Sequence, residues 1–203
     1  MKKLVGITCL LLAVLAVSAQ RFDAGMLAGL NASQVEGDFT KGYHKPGFVA
    51  GLFVQTNLSR TVFAAMEMKY AQKGSRKSPD KDEPELEKYI MRLGYVDLPV
   101  YLGFRTNETL SVIVGLSAGY LVSSGEYNNY GLFPEEDRHP FNEFDFQALL
   151  GARYEIADRL SFDLRLAYSF MPIRDLNGDV LWYWWDDQYN KVITSGLYYR
   201  FGK

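Results

Sequence analysis

Few side chains in this chain are equipped for covalent chemistry. Its 203 residues include 2 His and 1 Cys, too little material for a Cys/His zinc site or a disulfide framework. His44 and His139 are the candidate proton carriers. Asp137 lies close to His139, but no serine is placed so as to suggest a triad. Asp175, Asn177 and Asp179 open like a calcium loop, yet Val180 stands where the turn needs glycine. These are read as loop histidines and a turn, with no catalytic residue, metal or cofactor expected. An enzyme that modifies lipid from the rim of a barrel through His44 and His139 ranks below every other reading.

Binding chemistry is better provided. All 3 Trp of the chain, Trp182, Trp184 and Trp185, fall together beside Tyr183, Tyr189, Asp186 and Asp187. Such a cluster either anchors at a membrane interface, where indole rings are favoured, or presents an exposed aromatic surface to a glycan or protein ligand. Tyr127 and Tyr130, with Phe133, Glu135, Glu136 and Asp137, belong to a loop that can join the same surface. A second constellation mixes signs: Asp23, Glu67, Lys69, Asp97, Asp145, Arg153, Glu155, Asp163, Arg165 and Arg200 recur on one side of an alternating pattern. Charges placed in an interior must pair, so the reading is a salt-bridged network, with a narrow channel for ions or small solutes as the alternative. With 22 Lys+Arg against 24 Asp+Glu, no basic patch suits nucleic acid.

The elements that must position these groups alternate with a period of two. Leu160, Phe162, Leu164, Leu166, Tyr168 and Phe170 oppose Arg159, Ser161, Asp163, Arg165, Ala167 and Ser169, which is strand patterning. The same rule gives strands over about 22–32, 46–57, 61–72, 89–105, 110–120, 144–156 and 193–201, eight in all. Pro99 has no N–H for the ladder, so a bulge is expected there. Connections near 57–60, 105–108 and 157–159 are short, while those near 33–45, 73–88, 123–142 and 172–190 are long. Strict alternation of short and long connections, with an even strand count, predicts an all-β, eight-stranded antiparallel up-and-down transmembrane β-barrel with short periplasmic turns and long extracellular loops. No apolar stretch after residue 20 is long enough for a membrane helix. Residues 1–19 read as a signal peptide: Lys2 and Lys3, an apolar run to Val17, then Val17-Ser18-Ala19. The barrel domain then occupies 20–203. Losing Lys2 and Lys3 takes 22 basic residues to 20 against 24 acidic, a net charge of -4 for a chain without cysteine.

A soluble barrel would turn its apolar parity inward; a membrane barrel turns it to lipid and keeps charge in the lumen. Here the charged parity also holds Gly25, Gly29, Gly47, Gly51, Gly115, Gly119, Gly151 and Gly196, which suits a narrow interior packed with ion pairs. Aromatics gather at both ends of the apolar parity: Phe22, Phe104, Tyr154 and Phe201 near the short turns, Tyr70, Tyr120, Phe144 and Phe170 near the long loops. That is an interfacial girdle. Arg92 alone breaks the apolar parity, near the long-loop end.

Gly29-Leu30-Asn31-Ala32-Ser33, Glu67 with Tyr70 and Gln72-Lys73-Gly74, and Tyr95-Val96-Asp97-Leu98-Pro99 resemble, in order and spacing, the small bacterial outer-membrane β-barrel proteins of the "porin family" or PorT-like type. The terminal strand departs slightly, since Gly202 and Lys203 follow Phe201. The resemblance implies an eight-stranded barrel in the outer membrane of a Gram-negative cell, usually without a known substrate. The expected function is a structural, non-enzymatic wall whose extracellular loops carry any ligand or partner binding. Outer-membrane lipid and the barrel-assembly machinery are the expected partners, and both termini are expected in the periplasm.

Overall fold

The computed structural model describes residues 22–38, 42–77, 88–134, 139–175 and 187–201. The segment 1–19, Asp137, Asn177, Asp179 and the cluster Trp182, Tyr183, Trp184 and Trp185 lie outside them. The described strands are β1 (Phe22–Glu36), β2 (Lys45–Asn57), β3 (Val62–Lys77), β4 (Tyr89–Arg105), β5 (Leu110–Asn128), β6 (Gly131–Leu132), β7 (Phe144–Ala157), β8 (Leu160–Ser169) and β9 (Tyr189–Arg200). All pairings are antiparallel between sequence neighbours, with β5 passing to β7, and the wall closes where β1 pairs β9. Eight strands make the wall. The two-residue β6 only folds back on the end of β5.

Alternation sets the two faces. In β8, Phe162, Leu164 and Leu166 are exposed while Ser161, Asp163 and Arg165 are buried. In β1, Met26 and Leu30 point out while Leu27 and Asn31 point in. The outward rings at the long-loop end run into one another across the wall: Tyr120 lies 5.5 Å from Phe144, Phe144 6.2 Å from Phe146, and Phe146 6.4 Å from Phe170. The short turns are closed by polar side chains. Asn107 Oδ1 accepts from the Thr109 and Leu110 amides at 2.9 and 2.7 Å, and Ser59 Oγ accepts from the Thr61 and Val62 amides at 3.2 and 3.0 Å.

Strands run further into the long-loop side than alternation alone places them. β1 reaches Glu36, β3 Lys77, β5 Asn128, and β9 starts at Tyr189. The bulge is also elsewhere than expected. Pro99 stays in register with Ser117 on β5, and on the β3 side pairing merely lapses between Met66↔Val100 and Lys69↔Asp97 without an extra residue. The missing N–H is absorbed as a gap in one ladder. The register shift falls between Gly94 and Tyr95, where Val122 is the extra residue on β5. Its effect is to exchange faces beyond that point, so that Glu126 turns inward and Tyr127 outward.

Two inward rings lie over cross-strand glycines. Phe53 pairs with Gly25 and Phe63 with Gly103, and a Cβ added at Gly103 would stand 2.1 Å from the Phe63 ring. Gly103→Ala is expected to push that ring off the wall and cost about 1–3 kcal/mol, the usual range for overpacking. Urea unfolding of the protein in phospholipid vesicles measures it, and an unchanged midpoint would show that the ring moves freely.

Candidate functional site

The interior is built in layers. Nearest the short turns, Arg200 bridges Glu155 at 3.2 Å and also donates to the Asp158 carbonyl. Asp23 is half-buried at the start of β1 and makes no ion pair with a described residue. Above this, Arg153 donates to both carboxylate oxygens of Asp163 at 2.7 and 3.0 Å, to Gln55 Oε1 at 3.0 Å and to the Tyr101 hydroxyl at 2.9 Å. Arg165 bonds Glu67 at 2.7 Å and also Asp163, and Lys69 stands 3.4 Å from the other Glu67 oxygen. The Arg153 guanidinium is caged by Phe53, Phe63, Tyr101 and Tyr198, with centroids 4.7–5.9 Å away. This layer holds three cations and two anions.

The next layer inverts that balance. Lys73 donates to Asp97 at 2.9 Å, Asp145 at 3.1 Å and Gln147 at 3.1 Å. Ser169 and Asn190 donate to Asp145 at 2.6 and 2.9 Å. One cation and two anions leave an excess negative charge that matches the excess positive charge below. The cavity between the layers, lined by Lys69, Lys73, Asp97 and Gln147 among others, measures about 20 Å³, room for roughly one water. Above Lys73 the lumen turns apolar: Val35, Met91, Leu93, Tyr95 and Ile173 are all fully buried and pack together. A lid layer follows, in which Arg174 grips both oxygens of Glu126 at 3.0 and 2.6 Å, Tyr89 donates to Glu126, and Phe141 lies 3.6 Å beneath the guanidinium.

Lys73, Glu126 and Arg174 are the buried paired charges that alternation missed. Lys73 shares parity with Glu67 and Lys69, and only the early end given to the third strand hid it. Glu126 is turned inward by the bulge, which no sequence pattern marked. The inward rings Phe53, Phe63, Tyr101 and Tyr198 were likewise unexpected in a lumen read as small and charged; glycines opposite Phe53 and Phe63 make their space.

Outside the lumen, Glu36, Lys191 and Tyr168 meet at the long-loop rim, with Lys191 Nζ and the Tyr168 hydroxyl both 2.8 Å from Glu36. The Lys191 hydrogen bond holds this rim carboxyl below the usual carboxylate range. Tyr130 is 91% exposed at the β5–β6 turn, whereas Tyr127 lies on the outer wall under Arg92. His44 precedes β2 and His139 precedes β7, and neither meets a nucleophile among the described residues. No group of three His, Cys, Asp or Glu among the described residues stands close enough to hold a metal ion.

An apolar outer wall with aromatic girdles, wrapped around an interior that carries the charge, is the arrangement of a membrane-spanning β-barrel. The chain belongs to the outer membrane protein beta-barrel domain family, whose model matches residues 18–175, and is a protein of the outer membrane. Among solved structures it is similar to Ail, the attachment invasion locus protein of Yersinia pestis, at 16% identity and TM-score 0.50, over 88% of this chain and 98% of that one. Ail in complex with the heparin analogue sucrose octasulfate matches at 15% and 0.50, over 89% and 99%. Neisserial surface protein A matches at 11% and 0.47, over 89% and 96%. No curated protein matches the chain.

Proposed function

We propose that this protein is a non-enzymatic, non-conducting outer-membrane barrel whose wall is structural and whose outward end carries any ligand binding. The single observation that supports the closed reading is the filled lumen: paired charges below, an apolar layer of Val35, Met91, Leu93, Tyr95 and Ile173 above. An ion would have to break buried pairs and then cross an apolar constriction. In this reading the short turns face the periplasm, residues 1–19 are the export signal, and the PorT-like resemblance supplies the finer relationship. The barrel-assembly machinery and outer-membrane lipid are the partners of assembly. Trp182, Tyr183, Trp184 and Trp185, with the exposed Tyr130 and with Tyr127, are the candidate surface for an extracellular glycan or protein. The Ail complex with sucrose octasulfate is a case of a barrel of this fold taking a polyanionic sugar.

Planar-bilayer recording of the purified protein tests the closed lumen. No discrete conductance steps are expected. Steps whose size changes in Asp97→Asn would place the ion path through the lumen and establish the channel instead.

A further inference from the structure

The cavity of about 20 Å³ between the two charge layers is lined by more polar groups than the chain itself satisfies. Ser117 Oγ, Gln147 Nε2 and Arg165 Nε belong to buried side chains that line it, and none of the three atoms meets a hydrogen-bond partner among the described residues. An orphaned buried polar group costs about as much as a lost hydrogen bond, so three of them around one space call for an occupant.

Bonds made elsewhere fix which atoms are left over. Gln147 turns its amide oxygen to the Lys73 ammonium at 3.1 Å, the one amide atom that can accept from an ammonium, and its NH2 group is left without a partner. Arg165 gives its two terminal nitrogens to Glu67 and Asp163, which leaves Nε. Ser117 stands directly across from Gln147 on β7 and from Pro99 on β4. The space itself comes from short side chains, since Ala71, Pro99 and Ala167 are part of its lining.

The free groups select the occupant. Gln147 Nε2 and Arg165 Nε are pure donors, and donors repel a metal cation. A halide would accept from them, but the two layers already balance, with Lys69, Arg153, Arg165 and Lys73 paired to Glu67, Asp163, Asp97 and Asp145. An added anion beside Asp97 would leave the interior negative. Water is neutral, accepts twice and donates twice, and its dipole can lie along the field from the positive lower layer to the negative upper one.

We propose that this cavity is a binding site for one long-lived water molecule that ties the two charge layers together. It accepts from Arg165 Nε and Gln147 Nε2 and donates to Ser117 Oγ and to the Asp97 carboxylate. One molecule thus satisfies three orphaned groups contributed by β5, β7 and β8. The inference rests on the closed lumen, which keeps the site from exchanging freely with bulk solvent.

The test is nuclear magnetic resonance of the deuterated, nitrogen-15-labelled protein in detergent micelles, reading transfer from water to the Gln147 side-chain amide protons in NOE and ROE experiments. A water held at the site gives cross-peaks of opposite sign in the two experiments. They are expected in the native protein, retained in Ser117→Ala, and lost in Ser117→Val, whose added methyl takes up the space. Heat-modifiable gel mobility shows that the barrel of each variant is intact. Absent cross-peaks in the native protein, or peaks of the same sign in both experiments, which report proton exchange, overturn the proposal. Loss already in Ser117→Ala assigns the signal to the serine hydroxyl and overturns it too, as does persistence in Ser117→Val. A Gln147 amide shift that saturates on titration with sodium bromide, but not with sodium sulfate, puts a halide in the cavity instead. Conductance steps in planar bilayers would mean that the closed lumen fails, whereas a silent bilayer without the cross-peaks means that the water site alone fails.

Discussion

Lys73→Met is expected to destabilise the barrel by about 3–5 kcal/mol, the cost of breaking a buried ion pair from one side. Lys73 is the only cation bonded to Asp97 and Asp145 among the described residues, and the latter is fully buried. Removing its ammonium leaves both carboxylates without a bonded cation among the described residues, with Ser169 and Asn190 still donating to Asp145. Their remaining recourse is to take up protons or admit water, and either loosens the wall. The triple variant Lys73→Met/Asp97→Asn/Asp145→Asn removes all three charges together and is expected to recover most of the loss, because an apolar or neutral replacement of a buried triad is often close to neutral. Urea unfolding in vesicles reads both. If the single and triple variants are equally unstable, packing rather than charge holds this layer together.

A charge on the other side of the wall is expected to hurt according to its depth. Leu150 is 55% exposed midway along β7, between Phe144 at one girdle and Tyr154 at the other. Leu150→Arg is expected to cost about 2–4 kcal/mol, while Ile156→Arg, beyond Tyr154 on the same face, costs about 0–1 kcal/mol. Both sites are equally exposed, so a water-facing wall would make the two substitutions equally mild. The difference between them, measured in vesicles, therefore reports whether hydrocarbon covers Leu150.

The faces of the barrel were legible in the sequence because lipid enforces them. Where a strand lies in hydrocarbon, every second residue must be apolar, and β5, β7 and β8 announce themselves. Past the girdle that demand lapses. Gln34, Glu36, Gln72, Arg76, Ser123 and Gly125 stand on outward positions of strands that are still laddered on one side, but nothing in their polarity says so. Lys73 was lost to view for that reason, four residues beyond Lys69 on the same inward row. Glu126 was hidden by a different cause, since one extra residue at Val122 reverses the parity that identified its neighbours. Pairing is harder still. Arg153 meets Gln55, 98 residues away, and only the register of the closed wall brings them together. The Trp182–Trp185 cluster lies outside the described residues.

The closure of β1 on β9 carries a consequence for how the chain reaches this state. The bond between Asn31 and Thr194 joins residues 163 apart, and the seam from Gly25↔Arg200 to Glu36↔Tyr189 cannot form until the last strand is present. Until then β1 and the newest strand each expose a row of unsatisfied amides and carbonyls, the condition under which strands join the wrong neighbour. Long-separation pairing is also slow, because the loop entropy is spent before the contacts repay it. The twelve residues of β9 thus complete the wall, and a copy truncated before Tyr189 would be left with two open edges and a tendency to polymerise through them.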